Sequence, residues 1–179
     1  MAALALRLFF VWRFPAVVDD SRLYANITGN WLQHGIYGVT DSGIIKPTLS
    51  RLPGYPAFLA AIFSIFGMGN FRAVLLVQVL FDLGTCFLVA DLARRLFSER
   101  AAKAAFLLAA LCPFLANYAA TALTETLEIF FTALALDLAI RALLAQSGNF
   151  EETTIRPGRE QSLWLGSGIS IGACILLRP

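Results

Sequence analysis

The chain has 179 residues, of which 58% are hydrophobic and 15% charged. Its mean hydropathy of +0.71 sets it apart from soluble domains, whose apolar share is about 45–50%, and fits a multi-span membrane protein. A net charge of +2, with no basic run or stripe, excludes a nucleic-acid binder, so the predicted fold class is an all-α, polytopic membrane helix bundle.

Residues 2–18 are apolar apart from Arg7 and Arg13 and cover roughly 25 Å, slightly short of a bilayer core. No small-residue cleavage site precedes Asp19-Asp20, so the segment reads as an uncleaved first span in which Arg7 snorkels or faces the bundle. From Ser21 to Gln33 the spacing is helical. Leu23, Tyr24, Ile27, Trp31 and Leu32 share one side, opposite Arg22, Asn26, Gly29, Asn30 and Gln33, as in an amphipathic helix on a membrane surface. Gly35 to Ser50 is polar and punctuated by glycine, a loop. Tyr55 to Phe66 is a second amphipathic helix, with Tyr55, Phe58, Leu59, Ile62 and Phe66 on one face. It is too short to cross and therefore interfacial or re-entrant. Residues 19–70 thus form one long wet loop carrying two interfacial helices.

Four more spans follow: 71–97, interrupted by Asp82; 104–116, bent near its end by Pro113; 126–144; and 163–177. A polar connection, Gln146 to Gln161, holds Glu151-Glu152 and Arg156-Pro157-Gly158-Arg159. Arg94, Arg95, Arg100 and Lys103 flank one short connection, whereas Asn117 to Glu125 has no basic residue. The excess of Lys and Arg makes the first connection cytoplasmic and puts residues 19–70, Glu125 and Arg178 outside. Because the chain starts and stops at apolar runs, it is expected to be a fragment of a longer bundle.

Cys86, Cys112 and Cys174 lie in apolar runs and read as small hydrophobes, and His34 has no partner at metal-ligand spacing. Asp20 fits the N-cap of the surface helix, but capping needs one carboxylate, which leaves the other of the Asp19-Asp20 pair for a general base or a cation ligand. Arg51 stands where a lipid head group would lie, either as a snorkelling cation or as a specific anion ligand. Glu125 favours a helix N-terminus or a site, and Arg178 is an interfacial anchor or a second site cation. Within the membrane Asp82 needs a partner; Asp91 with Arg95, and Asp137 with Arg141, are spaced as i,i+4 ion pairs. Gly166, Gly168 and Gly172 point to close helix packing, and Asn26-Ile27-Thr28 is a coincidental glycosylation motif.

In combination these residues resemble the dolichyl-phosphate-mannose-protein mannosyltransferase-like membrane glycosyltransferases of the GT-C superfamily, which includes the aminoarabinose transferases. The resemblance rests on the acidic pair followed by Tyr24, on Arg51-Leu52-Pro53-Gly54-Tyr55-Pro56-Ala57-Phe58-Leu59-Ala60 with Phe66-Gly67, on Ala122-Leu123-Thr124-Glu125 and on the final Leu177-Arg178-Pro179. It implies a multi-pass protein of the inner (plasma) membrane with an extracytoplasmic active face. Its donor would be a polyprenyl-phosphate-linked sugar, and its acceptor a hydroxyl of a glycan, lipid or protein. Asp20 would be the general base, with Asp19 as fallback; Arg51 and Arg178 would bind the donor phosphate; Glu125, with Tyr24 and Tyr55, would support the sugar or the acidic centre. No cofactor is required by this chemistry, and no metal ligand is assigned, although the paired carboxylates admit a divalent cation. The competing expectation is a transporter or flippase whose polar path runs along Asp82, Asp137 and Arg141; a third is a non-catalytic scaffold.

Overall fold

The computed structural model of the chain describes residues 1–146 and 159–178. Most of the polar connection expected at 146–161, including Glu151-Glu152 and Arg156-Pro157-Gly158, therefore lies outside the described residues, as does Pro179.

The first helix, α1 (Ala2–Arg13), stops short of the expected 2–18. Pro15 accounts for this, because a proline pushes the residue before it, Phe14, out of the α region. Beyond it the chain is extended, and Ala16 pairs in parallel with Thr121: Ala16 N–H donates to the Ala120 carbonyl at 2.9 Å and Ala122 N–H to the Ala16 carbonyl at 3.0 Å.

Helix α2 (Asp19–His34) has Val18, not Asp20, as its N-cap; the Ser21 hydroxyl accepts from Val18 N–H at 3.1 Å. Both aspartates therefore stand in the first helical turn, where the helix dipole favours them and where neither is needed as a cap. Its buried face is also not the one expected from apolar spacing. Ser21, Tyr24, Ile27, Thr28 and Asn30 are buried, while Trp31 and Leu32 are exposed. Hydrogen bonding decides the difference: Thr28 donates to the Tyr24 carbonyl at 2.7 Å, and Asn30 to the Gly38 carbonyl at 2.9 Å.

The expected loop at 35–50 contains an antiparallel hairpin, β1 (Gly38–Asp41) and β2 (Ile44–Pro47), so the fold is not purely helical. Ser42 and Gly43 at its tip both have positive φ, +50° and +82°, as a two-residue hairpin turn requires. The hairpin is tied to α2 where Thr40 N–H donates to Asn26 Oδ1 at 2.8 Å. That engagement ties Asn26 Oδ1 to the hairpin, within a helix whose Thr28 is fully buried.

Helix α3 (Gly54–Phe66) buries Tyr55, Pro56, Leu59, Ile62 and Phe63 and leaves Phe66, in its last turn, exposed. Next comes α4 (Phe71–Leu96), capped by the Asn70 side chain on Ala73 N–H at 3.2 Å and, at 26 residues, long and apolar enough to cross a membrane. Helix α5 (Glu99–Leu111), capped by Ser98, and α6 (Pro113–Ala119) meet at a 54° bend and qualify together as a broken span or a re-entrant loop. Helices α7 (Glu125–Gln146) and α8 (Arg159–Leu177) pack along each other. Of the three glycines in α8, Gly166 faces Leu138 at close range, whereas Gly168 and Gly172 face open space; Ser167 and Ser170 are the other small residues buried there.

Two features hold these elements together. One apolar cluster joins Tyr24 of α2, Tyr55 and Leu59 of α3, Val74 of α4, Leu127 of α7 and Leu177 of α8, which docks the long loop onto one end of the bundle. The other is a buried cation. Arg7 of α1 does not snorkel: its side chain is fully buried, and its Nε donates to Asp82 Oδ2 of α4 at 2.5 Å. Its Nη2 donates to the Ala109 carbonyl at 2.9 Å and Nη1 to the Ala110 carbonyl. Pro113 explains why those two oxygens can take a further donor. It has no N–H to offer Ala109, which keeps only a long bond from Cys112 N–H at 3.4 Å, and the bend removes the next partner from Ala110.

Candidate functional site

The end of the bundle capped by α2 and α3 gathers most of the residues singled out by sequence. Arg51, just ahead of α3, donates from Nη2 to Asp20 Oδ1 at 2.9 Å. Its guanidinium carbon lies 5.9 Å from the centre of the Tyr24 ring, and the Tyr24 and Tyr55 rings meet edge to face at 5.0 Å. The Tyr37 hydroxyl donates to the Arg51 carbonyl at 2.9 Å, and Arg51 Nη1 to the Ser50 carbonyl at 3.2 Å. Arg51 Nε is buried with no acceptor, so the guanidinium keeps hydrogen-bonding capacity that the protein itself does not use.

Asp20 and Asp19 are not equivalent here. Asp20 is half-exposed and faces Arg51 across from α3, whereas the Asp19 carboxylate is fully exposed and pairs loosely with Arg22 at 3.5 Å. Glu125 opens α7 beneath the two tyrosines, with its Oε2 buried and unpartnered. Arg178 follows the buried Leu177 and is exposed; among the described residues no side-chain partner stands beside it. The backbone brings Arg178 to the same end all the same. A Cβ on Gly54 would stand 2.5 Å from the Leu176 carbonyl oxygen, so only glycine lets α3 start against the C-terminal turn of α8.

The electrostatics follow from this packing. Burial raises the Tyr24 phenol above its ordinary value, with the Arg51 guanidinium pulling it down and Asp20 pushing it up. The Tyr55 phenol is held well above its ordinary value by burial and then by the charge of Glu125. Both phenols therefore stay protonated and able to donate. The hydrogen bond to Asp20 raises Arg51 further, so it is a permanent cation. Among the described residues no group of three or more His, Cys, Asp or Glu comes together to hold a metal ion.

Several residues of this end were not singled out by sequence. Gln78 of α4 is fully buried; it accepts from Tyr55 OH at 2.8 Å and donates to the Thr121 carbonyl at 2.8 Å. The signal was present, since a polar residue one turn before Asp82 in an apolar span calls for a reason of its own. Glu128, one turn after Glu125, also carries a buried, unpartnered carboxylate oxygen. The intramembrane charges lie elsewhere: Asp82 belongs to the Arg7 clamp, and Asp137 pairs with Arg141 at 2.7 Å. Arg141 also reaches Asp91 at 2.9 Å, and Arg95 reaches it at 2.6 Å, so the two expected i,i+4 pairs merge into one network between α4 and α7.

Comparison with known proteins adds a family. Neither the curated proteins nor the solved structures contain a match to this chain. The model of one family, described as dolichyl-phosphate-mannose-protein mannosyltransferase, matches residues 46–179, a stretch that holds Arg51, Gly54, Gln78, Glu125 and Arg178 and begins after Asp19, Asp20 and Tyr24. A match over far more than half the length is decisive, and the chain belongs to the dolichyl-phosphate-mannose-protein mannosyltransferase family.

Proposed function

We propose that the protein is a multi-pass glycosyltransferase of the plasma membrane. It moves a sugar from a polyprenyl-phosphate-linked donor to a hydroxyl of a glycan, lipid or protein on the extracytoplasmic face. The observation that carries this reading is the Asp20–Arg51 pair at 2.9 Å, a base and a phosphate ligand set side by side with an unused Arg51 Nε. Family membership supports sugar transfer in general. The charges that a transport path would need, Asp82, Asp137 and Arg141, are instead tied into ion pairs, which favours transfer over transport.

In this reading the donor phosphate competes for Arg51, and Asp20 is released as the guanidinium turns to the incoming anion. The Asp20 carboxylate takes the proton of the acceptor hydroxyl as its oxygen bonds to the anomeric carbon. The bond from that carbon to the phosphate oxygen breaks, and the leaving polyprenyl phosphate carries away the electron pair and one more negative charge. Arg51, with Arg178 nearby, stabilises that charge as it develops. One displacement inverts the anomeric centre. Glu125 and the Tyr24 phenol, which burial keeps protonated, offer hydrogen bonds to the sugar, while Tyr55, its proton held by Gln78, backs the Tyr24 ring.

Transfer of labelled sugar from polyprenyl-phosphate donors, measured in membranes holding the protein, tests the assignment. Asp20→Asn should lower kcat by about 10²–10⁴ with little change in donor KM. Arg51→Gln should raise donor KM by roughly ten- to a hundredfold, the worth of one hydrogen bond to a charged group. Asp20→Asn retaining activity within threefold of wild type would overturn the role given to Asp20.

A further inference from the structure

The opposite end of the bundle carries a second feature, a groove that the proposed reaction does not use. Helix α4 packs against both α5 and α7, and the space between those two leaves a cleft of about 530 Å³ with α4 as its floor. On α4 the lining residues Gly84, Phe87, Leu88 and Asp91 recur at helical spacing and so form one stripe; Phe130 of α7 closes its apolar end. A second cleft of about 410 Å³, lined by Phe106, Leu107 and Lys103 of α5, adjoins it and shares Ala90 and Ala102.

Charge is confined to one end of this groove. There Arg94, Arg141 and Lys103 line the clefts together with Asp91, an excess of positive charge. Asp91 is shared among Arg94, Arg95 and Arg141, and Asp137 lies buried beside Arg141, so the carboxylates are screened by their own partners. Lys103 is exposed at the mouth and none of the described ion pairs includes it. From Gly84 to Arg94 the groove runs about 15 Å along α4, which is half the roughly 30 Å hydrocarbon core of a bilayer. An acyl chain laid in it from the bilayer centre would thus bring its head group level with the cations.

We propose that this groove binds an anionic diacyl phospholipid from the leaflet at that end, with an acyl chain along Phe87, Leu88 and Phe130 and the phosphate at Lys103, Arg94 and Arg141. The apolar walls select a lipid over a soluble phosphate, and the cationic mouth selects an anionic head group over a zwitterionic one. The site is independent of sugar transfer, so its failure leaves the proposed activity untouched.

Native mass spectrometry of the detergent-solubilised chain, with dioleoyl phosphatidylglycerol, dioleoyl phosphatidylcholine or glycerol phosphate added, tests it. The expected result is one retained phosphatidylglycerol, at least fivefold less phosphatidylcholine at equal concentration, and no glycerol phosphate. Lys103→Gln should weaken retention about fivefold, the effect of one basic residue at a membrane surface. Ala90→Trp, which fills the shared floor of both clefts, should abolish it, with circular dichroism confirming that both variants are folded. Equal retention of the two lipids, retention unchanged by either variant, or a lipid-free dimer whose formation Ala90→Trp disrupts would each overturn the proposal.

Discussion

Gln78 touches neither Asp20 nor Arg51, yet both ends of its amide bear on their separation. Its Oε1 holds Tyr55, which stands four residues after Arg51 and against the ring of Tyr24. Its Nε2 holds Thr121, which is paired with Ala16 on the strand leading into Asp19 and Asp20. One side chain thus ties together the two chain segments that bring the base and the phosphate ligand to each other. Replacing it by methionine keeps the volume but leaves the Tyr55 hydroxyl buried without a partner, at about 1–3 kcal/mol, and the Thr121 carbonyl with only the Leu123 N–H at 2.8 Å. Gln78→Met should lower the melting midpoint and also lower kcat for sugar transfer. Tyr55→Phe added to it should lower kcat by less than the sum of the two single effects, because the second change removes a partner already lost. Full additivity would show that the two residues act separately. Gly54 makes a second case at this scale. Gly54→Ala sets a methyl against backbone, not against a movable side chain, so it should destabilise the protein by about 1–3 kcal/mol, seen as a lower denaturation midpoint in detergent.

Among the elements, the Arg7 clamp shows why a costly residue can be kept in an apolar segment. Arg7 joins three helices, through Asp82 on α4 and through two carbonyls at the end of α5, of which the Pro113 bend leaves Ala110 without a backbone donor and Ala109 with only a long one. Removing one charge strands the other in a dry interior. Arg7→Leu or Asp82→Leu alone should therefore cost about 3–5 kcal/mol. The double variant should cost less than the sum, with a residue of about 1–3 kcal/mol for the Ala110 carbonyl that then lacks a donor. Unfolding in detergent, followed for all four proteins, measures that coupling. Equal additive losses would mean that the pair contributes nothing as a pair. The same elements mark how far sequence reading reached. A helix long and apolar enough to cross a membrane at 71–96, and a bend at Pro113, were legible because hydrophobic length and proline chemistry act locally. That Asp82 would need a partner, and that Arg7 would snorkel or face the bundle, was legible too, but their choice of each other was not, since it depends on which helices meet. The buried face of α2 was misread because Thr28 and Asn30 go inward to satisfy backbone groups, which apolar spacing does not register. The hairpin was missed although Asp41-Ser42-Gly43 carries its turn, because the flanking strands are only four residues each. Asp20 and Arg51 were each visible as candidates, and their contact at 2.9 Å depends on α2 and α3 packing together.

For the molecule as a whole, the decisive quantity is the distance between its two charged ends. From Gln78, beneath the Asp20–Arg51 pair, to Asp91 is about 20 Å of α4, enough to put the two ends near opposite surfaces of a roughly 30 Å core. The upper end mixes Asp20, Glu125 and Glu128 with Arg51 and Arg178, whereas the lower end holds the excess of Lys and Arg on which the proposed cytoplasmic orientation rests. Broken and unbroken helices carry the same consequence, because the long loop and Glu125 share one end whatever the path of α5 and α6. Labelling with a membrane-impermeant thiol reagent checks it in a background of Cys86→Ala, Cys112→Ala and Cys174→Ala. Leu49→Cys, at an exposed position of the loop near Arg51, should be modified on intact cells. Glu99→Cys, exposed beside Arg100 and Lys103, should be modified only after the membrane is opened, and it leaves the Lys and Arg count unchanged. The reverse pattern would turn the protein over and move the proposed chemistry to the cytoplasm. Labelling of both positions on intact cells would mean that α4 does not cross at all, and the Asp20–Arg51 pair would then have to work without a bilayer to present its donor.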